Sequence, residues 1–171
     1  MSDQAREATM QTVNAILSPA GLSIGGTVIA EAPPLNVMLT VLGMPGYRTE
    51  EIHDRGKLWR KFVILDQLGI CLLYDVEVER VIDVHFCFAP SKSPSSPKGM
   101  FSGLLFVNGV RLVSCMRERL LPLDGEFHFS KQGGWTATSN AVFLRMRTLG
   151  KRLQAVDVSF LRRPRFACER K

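Results

Sequence analysis

The chain has 171 residues, of which 46% are hydrophobic and 22% are charged. This composition is typical of a soluble globular protein, and the length predicts a single domain, residues 1–171, with a substantial core. No run approaches the roughly 18 apolar residues of a membrane-spanning helix. The N-terminus lacks the basic start and apolar centre of a signal peptide, so we expect a cytoplasmic protein.

The net charge of +6 is distributed unevenly along the chain. From Arg111 to the C-terminus there are 13 Lys and Arg residues against 5 Asp and Glu residues. Residues 1–110 carry 9 against 11. This asymmetry favours a basic face or tail that contacts something acidic, which could be nucleic acid, an acidic protein or a membrane surface.

The first element predicted along the chain is an N-terminal helix. Met10, Val13 and Leu17 recur at the spacing of one helix face, and Pro19 follows directly. The pattern therefore predicts an amphipathic helix over residues 3–17.

Local signals of three kinds follow this helix. Gly25 and Gly26 separate two short β-prone runs, which predicts a hairpin with a two-residue turn. Asn36 can cap a short helix that stops at Gly43. Residues 46–60 are polar and show no clear period, so we expect a long exposed loop there.

Strand signals dominate the rest of the chain. Apolar runs at 61–65 and 70–74 flank Asp66–Gly69, where Asp and Gly occupy favoured positions of a type I turn. We therefore interpret Asp66 as a turn residue and not as a catalytic group. Val76–Phe88 alternates with a period of two, as expected for a strand with one face on the core. Further signals predict a hairpin at Asn108-Gly109 and strands at 127–129, 141–147 and 154–161.

These elements together predict an α+β domain. The N-terminal helix would cover one face of a mainly antiparallel sheet of about seven or eight strands in hairpins. The Ser- and Pro-rich residues 91–99 predict a flexible loop, and residues 162–171 predict a basic tail that is partly disordered.

Motifs for catalysis or metal binding are weak. Gly21–Gly25 matches G-x-S-x-G, but it lacks the strand-to-helix setting of a hydrolase elbow, so a hairpin is the better interpretation. His85 and Cys87 share a strand face, yet no second pair at zinc-like spacing completes four ligands. A phosphate loop and a dinucleotide fingerprint are also missing from the sequence. We therefore expect a non-enzymatic protein without a cofactor or a metal.

Two sets of polar residues are candidates for partner binding. The first lies in the predicted 46–60 loop and combines charges with Tyr, Trp and Arg, the residue types that dominate binding energy at interfaces. Its members are Tyr47, Arg48, His53, Asp54, Arg55 and Trp59. The second set is basic and would mainly steer association. Its members are Arg145, Arg147, Lys151 and Arg152.

Several turn and core residues carry a family resemblance over roughly residues 20–115. They are Leu42-Gly43 with Pro45, Asp66–Ile70 with Tyr74, Phe101–Leu104, and the Val-Asn-Gly hairpin at 107–109. This pattern resembles a loosely defined set of small bacterial domains found beside secreted toxins. The set includes immunity proteins of type VI secretion and other polymorphic-toxin systems.

The resemblance implies an immunity protein that binds a cognate bacterial toxin and occludes its active site. The missing catalytic constellation agrees with this hypothesis, and the basic region would suit a toxin with an acidic surface. The alternative hypothesis is a nucleic-acid-binding or regulatory module that uses the basic C-terminal third of the chain, including Arg162, Arg163 and Arg165.

Overall fold

The computed structural model describes residues 12–161. Within this range the chain forms thirteen strands, one α-helix and one 3-10 helix. The strands are β1 (Asn14–Ser18), β2 (Gly21–Ile24), β3 (Thr27–Ile29), β4 (Arg48–Asp54), β5 (Lys57–Leu65), β6 (Ile70–Asp75), β7 (Arg80–Cys87), β8 (Leu104–Val107), β9 (Val110–Leu112), β10 (Ser130–Lys131), β11 (Trp135–Thr138), β12 (Val142–Leu149) and β13 (Arg152–Phe160). The helix α1 spans Leu35–Val41, and the 3-10 helix spans Glu118–Leu120.

The strands form two sheets. One has five strands in the order β3-β2-β1-β8-β9, and the other has eight in the order β10-β11-β12-β13-β7-β6-β5-β4. The pairs are antiparallel, except that β1 runs parallel to β8. The expected α+β class with seven or eight strands is therefore wrong, and the described residues form a mainly β fold.

The N-terminal helix predicted over residues 3–17 is also wrong, because its last four residues lie in β1. Three residues in and before this strand are buried and alternate with exposed ones: Val13, Ala15 and Leu17. A period of two is typical of a strand. Val13 and Leu17 are also four residues apart, which is why the same sequence suggested a helix. The predicted residues before position 12 lie outside the described range.

Short-range signals correctly predicted α1 and two hairpins. The helix expected after Asn36 is confirmed as α1, although its N-cap is Pro34 and no side chain caps it. Turns at Gly25-Gly26 and Asn108-Gly109 join β2 to β3 and β8 to β9, as predicted. No helix within residues 12–161 is long and apolar enough to cross a membrane.

The exposed loop predicted over residues 46–60 is wrong. Most of it forms the β4–β5 hairpin, which turns at Arg55 and Gly56, both with positive φ. As the edge strand of the larger sheet, β4 is paired on one side only, and it has no fully buried residue. Because neither face of β4 is buried, its residues do not alternate between apolar and polar. That alternation is the pattern that indicates a strand, so the sequence suggested a loop.

Two later predictions also need correction. The strand predicted over Val76–Phe88 begins only at Arg80, since residues 76–79 form a turn in which the Asp75 carboxylate accepts the N–H groups of Glu77 and Val78. The strand expected at 127–129 is an irregular segment, with a two-residue strand following it.

A single core cluster receives buried side chains from both sheets. In β12, Val142, Leu144 and Met146 are buried in this core, whereas the alternate residues are more accessible. The larger sheet therefore has an outer face that is turned away from the core. This outer face carries the polar groups of the candidate site.

An irregular segment of residues 91–99, here called the strap, lies against the outer face. It contains no helix or strand. Arg48 donates to the carbonyl oxygens of Pro94 and Ser96 at 2.8 and 3.0 Å, and the Lys98 N–H donates to Asp66 Oδ1 at 2.8 Å. These hydrogen bonds hold the strap to β4 and to the β5–β6 turn.

Candidate functional site

One row of residues crosses six strands of the larger sheet. In register from β12 to β4, its members are Arg145, Asp157, His85, Cys71, Ile64 and Arg48. Cys71 and Ile64 are buried without belonging to the core cluster. The strap passes over this part of the row, where the Cys71 thiol lies 3.4 Å from the carbonyl oxygen of Ser95. Sheet pairing thus brings six residues that are far apart in the sequence, from Arg48 to Asp157, onto one surface.

A cavity of about 410 Å³, here called the outer groove, lies between the strap and β12. Ser93, Ser95 and Ser96 form its strap side. Half-buried Phe62 and Phe143 add apolar surface to its lining. Its volume falls in the range of ligand pockets, roughly 300–1,000 Å³.

Three charged or titratable side chains are linked on one wall of the groove. The His85 ring hydrogen-bonds through Nδ1 to Asp157 Oδ1. Arg147 places Nε 3.0 Å from Asp157 Oδ2 and Nη2 3.1 Å from His85 Nδ1. Because three different strands supply these groups, the arrangement depends on the register of the sheet and not on any local motif.

The ionised forms of His85 and Asp157 stabilise each other. Burial alone would lower the pKa of His85, but its hydrogen bonds to Asp157 and Cys87 and the charge of the Asp157 carboxylate outweigh burial, and the pKa is raised. Burial would raise the pKa of Asp157, yet the hydrogen bond from His85 and the charges of His85 and Arg147 lower it. The pair therefore favours a protonated imidazole beside a carboxylate.

Arg145 lines the groove with a guanidinium group that has no hydrogen-bond partner among the described residues. Its Nε is buried and has no hydrogen-bond partner, and within residues 12–161 its guanidinium forms no ion pair. Its guanidinium carbon lies 5.7 Å from the centre of the Phe143 ring. A buried donor without a partner costs free energy, so Arg145 would gain by binding a carboxylate or phosphate oxygen.

The two thiols closest to the Asp157–His85 pair are committed to backbone carbonyls. Cys87, whose side-chain hydrogen bond raises the pKa of His85, donates to the Ala89 carbonyl at 2.8 Å, and Cys71 contacts the Ser95 carbonyl. Although the Asp157–His85 pair resembles the orienting half of a catalytic triad, no described serine hydroxyl is hydrogen-bonded to His85. Burial raises the pKa of the Cys71 thiol to about 12, which disfavours the thiolate needed for attack. In the described part of the chain, no three His, Cys, Asp or Glu side chains are grouped to hold a metal ion. The unpartnered Nε of Arg145 favours anion binding at that side chain, while the carboxylate of Asp83 also lines the groove.

The comparisons with known proteins now identify a family. Residues 14–119, more than half of the chain, match a family described as a domain of unknown function, DUF7738. The chain belongs to this family. No curated protein and no solved structure matches the chain significantly. Nothing in the family description links it to toxins or immunity proteins, so that resemblance stays a prediction.

The family match covers β1 to β9 and ends within the 3-10 helix. His85 and the strap lie inside the DUF7738 segment, whereas Arg145, Arg147 and Asp157 lie beyond it on β12 and β13. The outer groove is therefore assembled from the family domain and from β12 and β13, which follow it.

The first predicted partner set lies along the β4–β5 hairpin. His53, Asp54 and Arg55 are exposed at its tip, and Tyr47 is exposed just before β4. Trp59 is also exposed, and the guanidinium of Arg60 lies 3.8 Å from its ring centre. Arg48 differs from this set because its donors already bind Asp66 and the strap.

The second predicted set does not form one surface. Arg145 and Arg147 line the outer groove, whereas Lys151 and Arg152 lie at the β12–β13 turn beside Arg117 and Arg119. His85 lies on the outer face of β7, in agreement with the period of two that runs through Val76–Phe88. No pattern in the sequence indicated Asp157, because its role depends on pairing with β7, some 70 residues earlier in the chain.

Proposed function

We propose that this DUF7738 protein is a non-enzymatic binding protein that engages an acidic surface of another protein through the outer groove. The observation that most supports the proposal is Arg145, which presents donors without partners beside Asp157, a carboxylate already paired to His85 and Arg147. A carboxylate from a partner would satisfy those donors with charge-assisted hydrogen bonds.

The chemistry around Arg145 suits a protein partner. Phe62, Leu73 and Phe143 are half-buried and line the groove, so apolar contact area adjoins the cation. Aromatic and Arg side chains are enriched at the centres of protein interfaces. The hydrogen bonds to Arg48 and Asp66 fix the strap in advance, which lowers the entropy cost of ordering it on binding.

The partner we propose is a bacterial toxin of a type VI or related polymorphic-toxin system. The resemblance over residues 20–115 supports this choice. The chain would act in the cytoplasm, where it would cover the active cleft of the toxin and exclude its substrate. A toxin that holds a metal ion with carboxylates would present the acidic surface that the groove requires.

We propose the exposed part of the β4–β5 hairpin as a flanking contact. Tyr47 and Trp59 offer aromatic surface, and His53, Asp54 and Arg55 offer polar groups at the tip. These residues would add specificity to an interface centred on the groove. Arg48 would contribute only indirectly, by holding the strap.

The alternative function, nucleic-acid binding by the basic C-terminal third, has one observation in its favour. Arg117, Arg119, Lys151 and Arg152 gather at one end of the larger sheet. Among the described residues, these four cations line a single concavity. A concavity suits one compact anion better than the extended backbone of a strand of nucleic acid.

The experiment that tests the proposal is co-expression with the toxin encoded by the adjacent gene. We expect copurification and protection of growth by the wild-type chain. Arg145→Ala should weaken binding about tenfold or more, since it removes charge-assisted hydrogen bonds. Arg119→Ala is the matched control, because it removes an exposed arginine outside the groove and should leave binding unchanged. If Arg145→Ala bound the toxin as tightly as the wild type, the outer groove would not be the binding surface. If the chain bound no toxin encoded by an adjacent gene, the proposed function itself would be wrong.

A further inference from the structure

A second concavity, here called the basic pocket, lies between the 3-10 helix and the β12–β13 turn. Its volume is about 610 Å³. Four exposed cations line it: Arg117, Arg119, Lys151 and Arg152. Leu123 and the half-buried Trp135 supply its apolar side.

Backbone pairing holds these cations close together. Arg117 and Arg152 are direct partners in an isolated antiparallel bridge. The Glu118 N–H donates to the Lys151 carbonyl at 2.8 Å, and the Leu153 N–H donates to the Met116 carbonyl at the same distance. Like charges directly opposite each other on paired strands destabilise the pairing. The fold therefore maintains an unfavourable concentration of positive charge at this place.

The pocket's own carboxylate, Glu118, offsets only part of that charge, through its attraction to Lys151. Glu118 Oε1 accepts hydrogen bonds from Lys131 Nζ at 2.9 Å and from Trp135 Nε1 at 2.8 Å. These bonds lower the pKa of Glu118 and fix the edge of the indole ring. None of the four pocket cations forms an ion pair with a residue of the described chain. An external anion would relieve their repulsion.

We propose that the basic pocket binds a nucleotide. Guanidinium groups bind phosphate oxygens bidentately, so Arg117, Arg119 and Arg152 with Lys151 would hold the phosphates. Trp135 and Leu123 would contact the base, since every base has a face that can pack on an aromatic or apolar side chain. The pocket volume lies within the range of small-molecule sites, roughly 300–1,000 Å³. This site is separate from the outer groove, and neither proposal depends on the other.

Trp135 provides a direct measurement of binding. The chain has two tryptophans, so Trp59→Phe leaves Trp135 as the sole indole. In this variant we expect a saturable change in tryptophan fluorescence on titration with ATP at low salt. Inorganic phosphate should compete with ATP, and adenosine without phosphate should bind far more weakly. Raising the salt concentration should weaken ATP binding, because the main contacts are ionic.

Matched substitutions in the Trp59→Phe background test the assignment. Arg119→Ala and Lys151→Ala should each weaken ATP binding about tenfold, while Arg145→Ala in the outer groove should leave it unchanged. Circular dichroism will check that each variant is folded. Three results would overturn the proposal: no saturable change with ATP, an equal loss in Arg145→Ala, or a single-stranded oligonucleotide binding far more tightly than ATP.

Discussion

Arg48, at the start of β4, and Asp66, in the turn after β5, form an ion pair with 2.8 Å between Nε and Oδ2. The same carboxylate accepts the Lys98 N–H, and the same guanidinium donates to two strap carbonyls. The hydrogen bond from Arg48 and the backbone hydrogen bond from Lys98 lower the pKa of Asp66. Asp66 is a turn residue, as the sequence predicted, and with Arg48 it joins the edge strand, the β5–β6 turn and the strap.

Loss of this ion pair should loosen the strap. We expect Arg48→Ala to lower the melting temperature and to make residues 91–99 more susceptible to limited proteolysis, because two strap carbonyls and the Asp66 carboxylate lose donors. Arg55→Ala, at the exposed hairpin tip, is the matched control and should change neither property. Identical melting and cleavage of the two variants would show that Arg48 does not hold the strap.

The His85–Asp157 pair should make stability depend on pH. Since the pKa of His85 is raised in the folded chain, its contribution is fully present below the unfolded value of about 6.5 and is lost as pH rises through the folded value. Since the pKa of Asp157 is lowered, its contribution is present above about 3.8 and is lost as pH falls through the folded value. The pair therefore stabilises the fold most between these limits.

His85→Gln should remove this dependence. We expect the variant to be less stable than wild type near pH 5.5, with a smaller difference as pH rises past the folded pKa of His85. The measurement is urea unfolding at a series of pH values. His128→Gln, whose side chain is 81% exposed, is the control and should show no such trend. A pH-independent difference for His85→Gln would contradict the assignment.

Gly69 should tolerate no side chain. Its φ is +66°, and a Cβ there would lie 2.2 Å from backbone atoms of Met100 and Phe101. Gly56 has a similar φ of +78° with no atom within 4 Å of its Cβ position. Gly56→Ala should cost about 1–2 kcal/mol from backbone strain alone, and Gly69→Ala about 4 kcal/mol or more because of the steric clash. Denaturant unfolding of both variants measures the difference, and similar losses would argue against the close approach.

Asn108 should contribute to the stability of the fold through its side-chain amide as well as through its place in the β8–β9 turn. Its Nδ2 donates to the carbonyls of Pro122 and Phe127 at 2.9 and 2.8 Å, and its Oδ1 accepts the Phe127 N–H at 2.8 Å. Asn108→Asp keeps a residue that tolerates positive φ but places a carboxylate beside two carbonyl oxygens. We expect a loss of about 2–3 kcal/mol in urea unfolding. Asn14→Asp, at an exposed position, should lose far less.

Sequence reasoning predicted elements that depend on neighbouring residues and failed where distant ones decide. The hairpins at Gly25-Gly26 and Asn108-Gly109 follow from turn chemistry, since those residues adopt positive φ at little cost. The strand β1 pairs in parallel with β8, some 90 residues away, and nothing near Val13 or Leu17 indicates that partner. The edge strand β4 has a polar sequence, so its pairing with β5 left no hydrophobic pattern.

The candidate site depends even more strongly on long-range pairing. Alternation could place His85 on an outer face, and composition could indicate that Arg145 belongs to a basic region. Only the register of β12, β13 and β7 shows that Asp157 lies between Arg145 and His85. Asp157 is paired to His85 and Arg147, and the Nε of Arg145 is left without a partner. The separation of Lys151 and Arg152 from Arg145 likewise follows from the bend of the chain at the β12–β13 turn.

The central claim is that the outer groove is the partner-binding surface. The most direct test is hydrogen exchange of the chain in complex with the toxin encoded by the adjacent gene. The chain would be exchanged alone and with the co-expressed toxin, and the protection of each segment compared. We predict new protection in residues 93–96 and 143–147, with weaker protection at the β4–β5 tip and none at residues 117–119. Protection confined to the hairpin tip or to residues 117–119 and 150–152, with residues 143–147 unchanged, would contradict the claim.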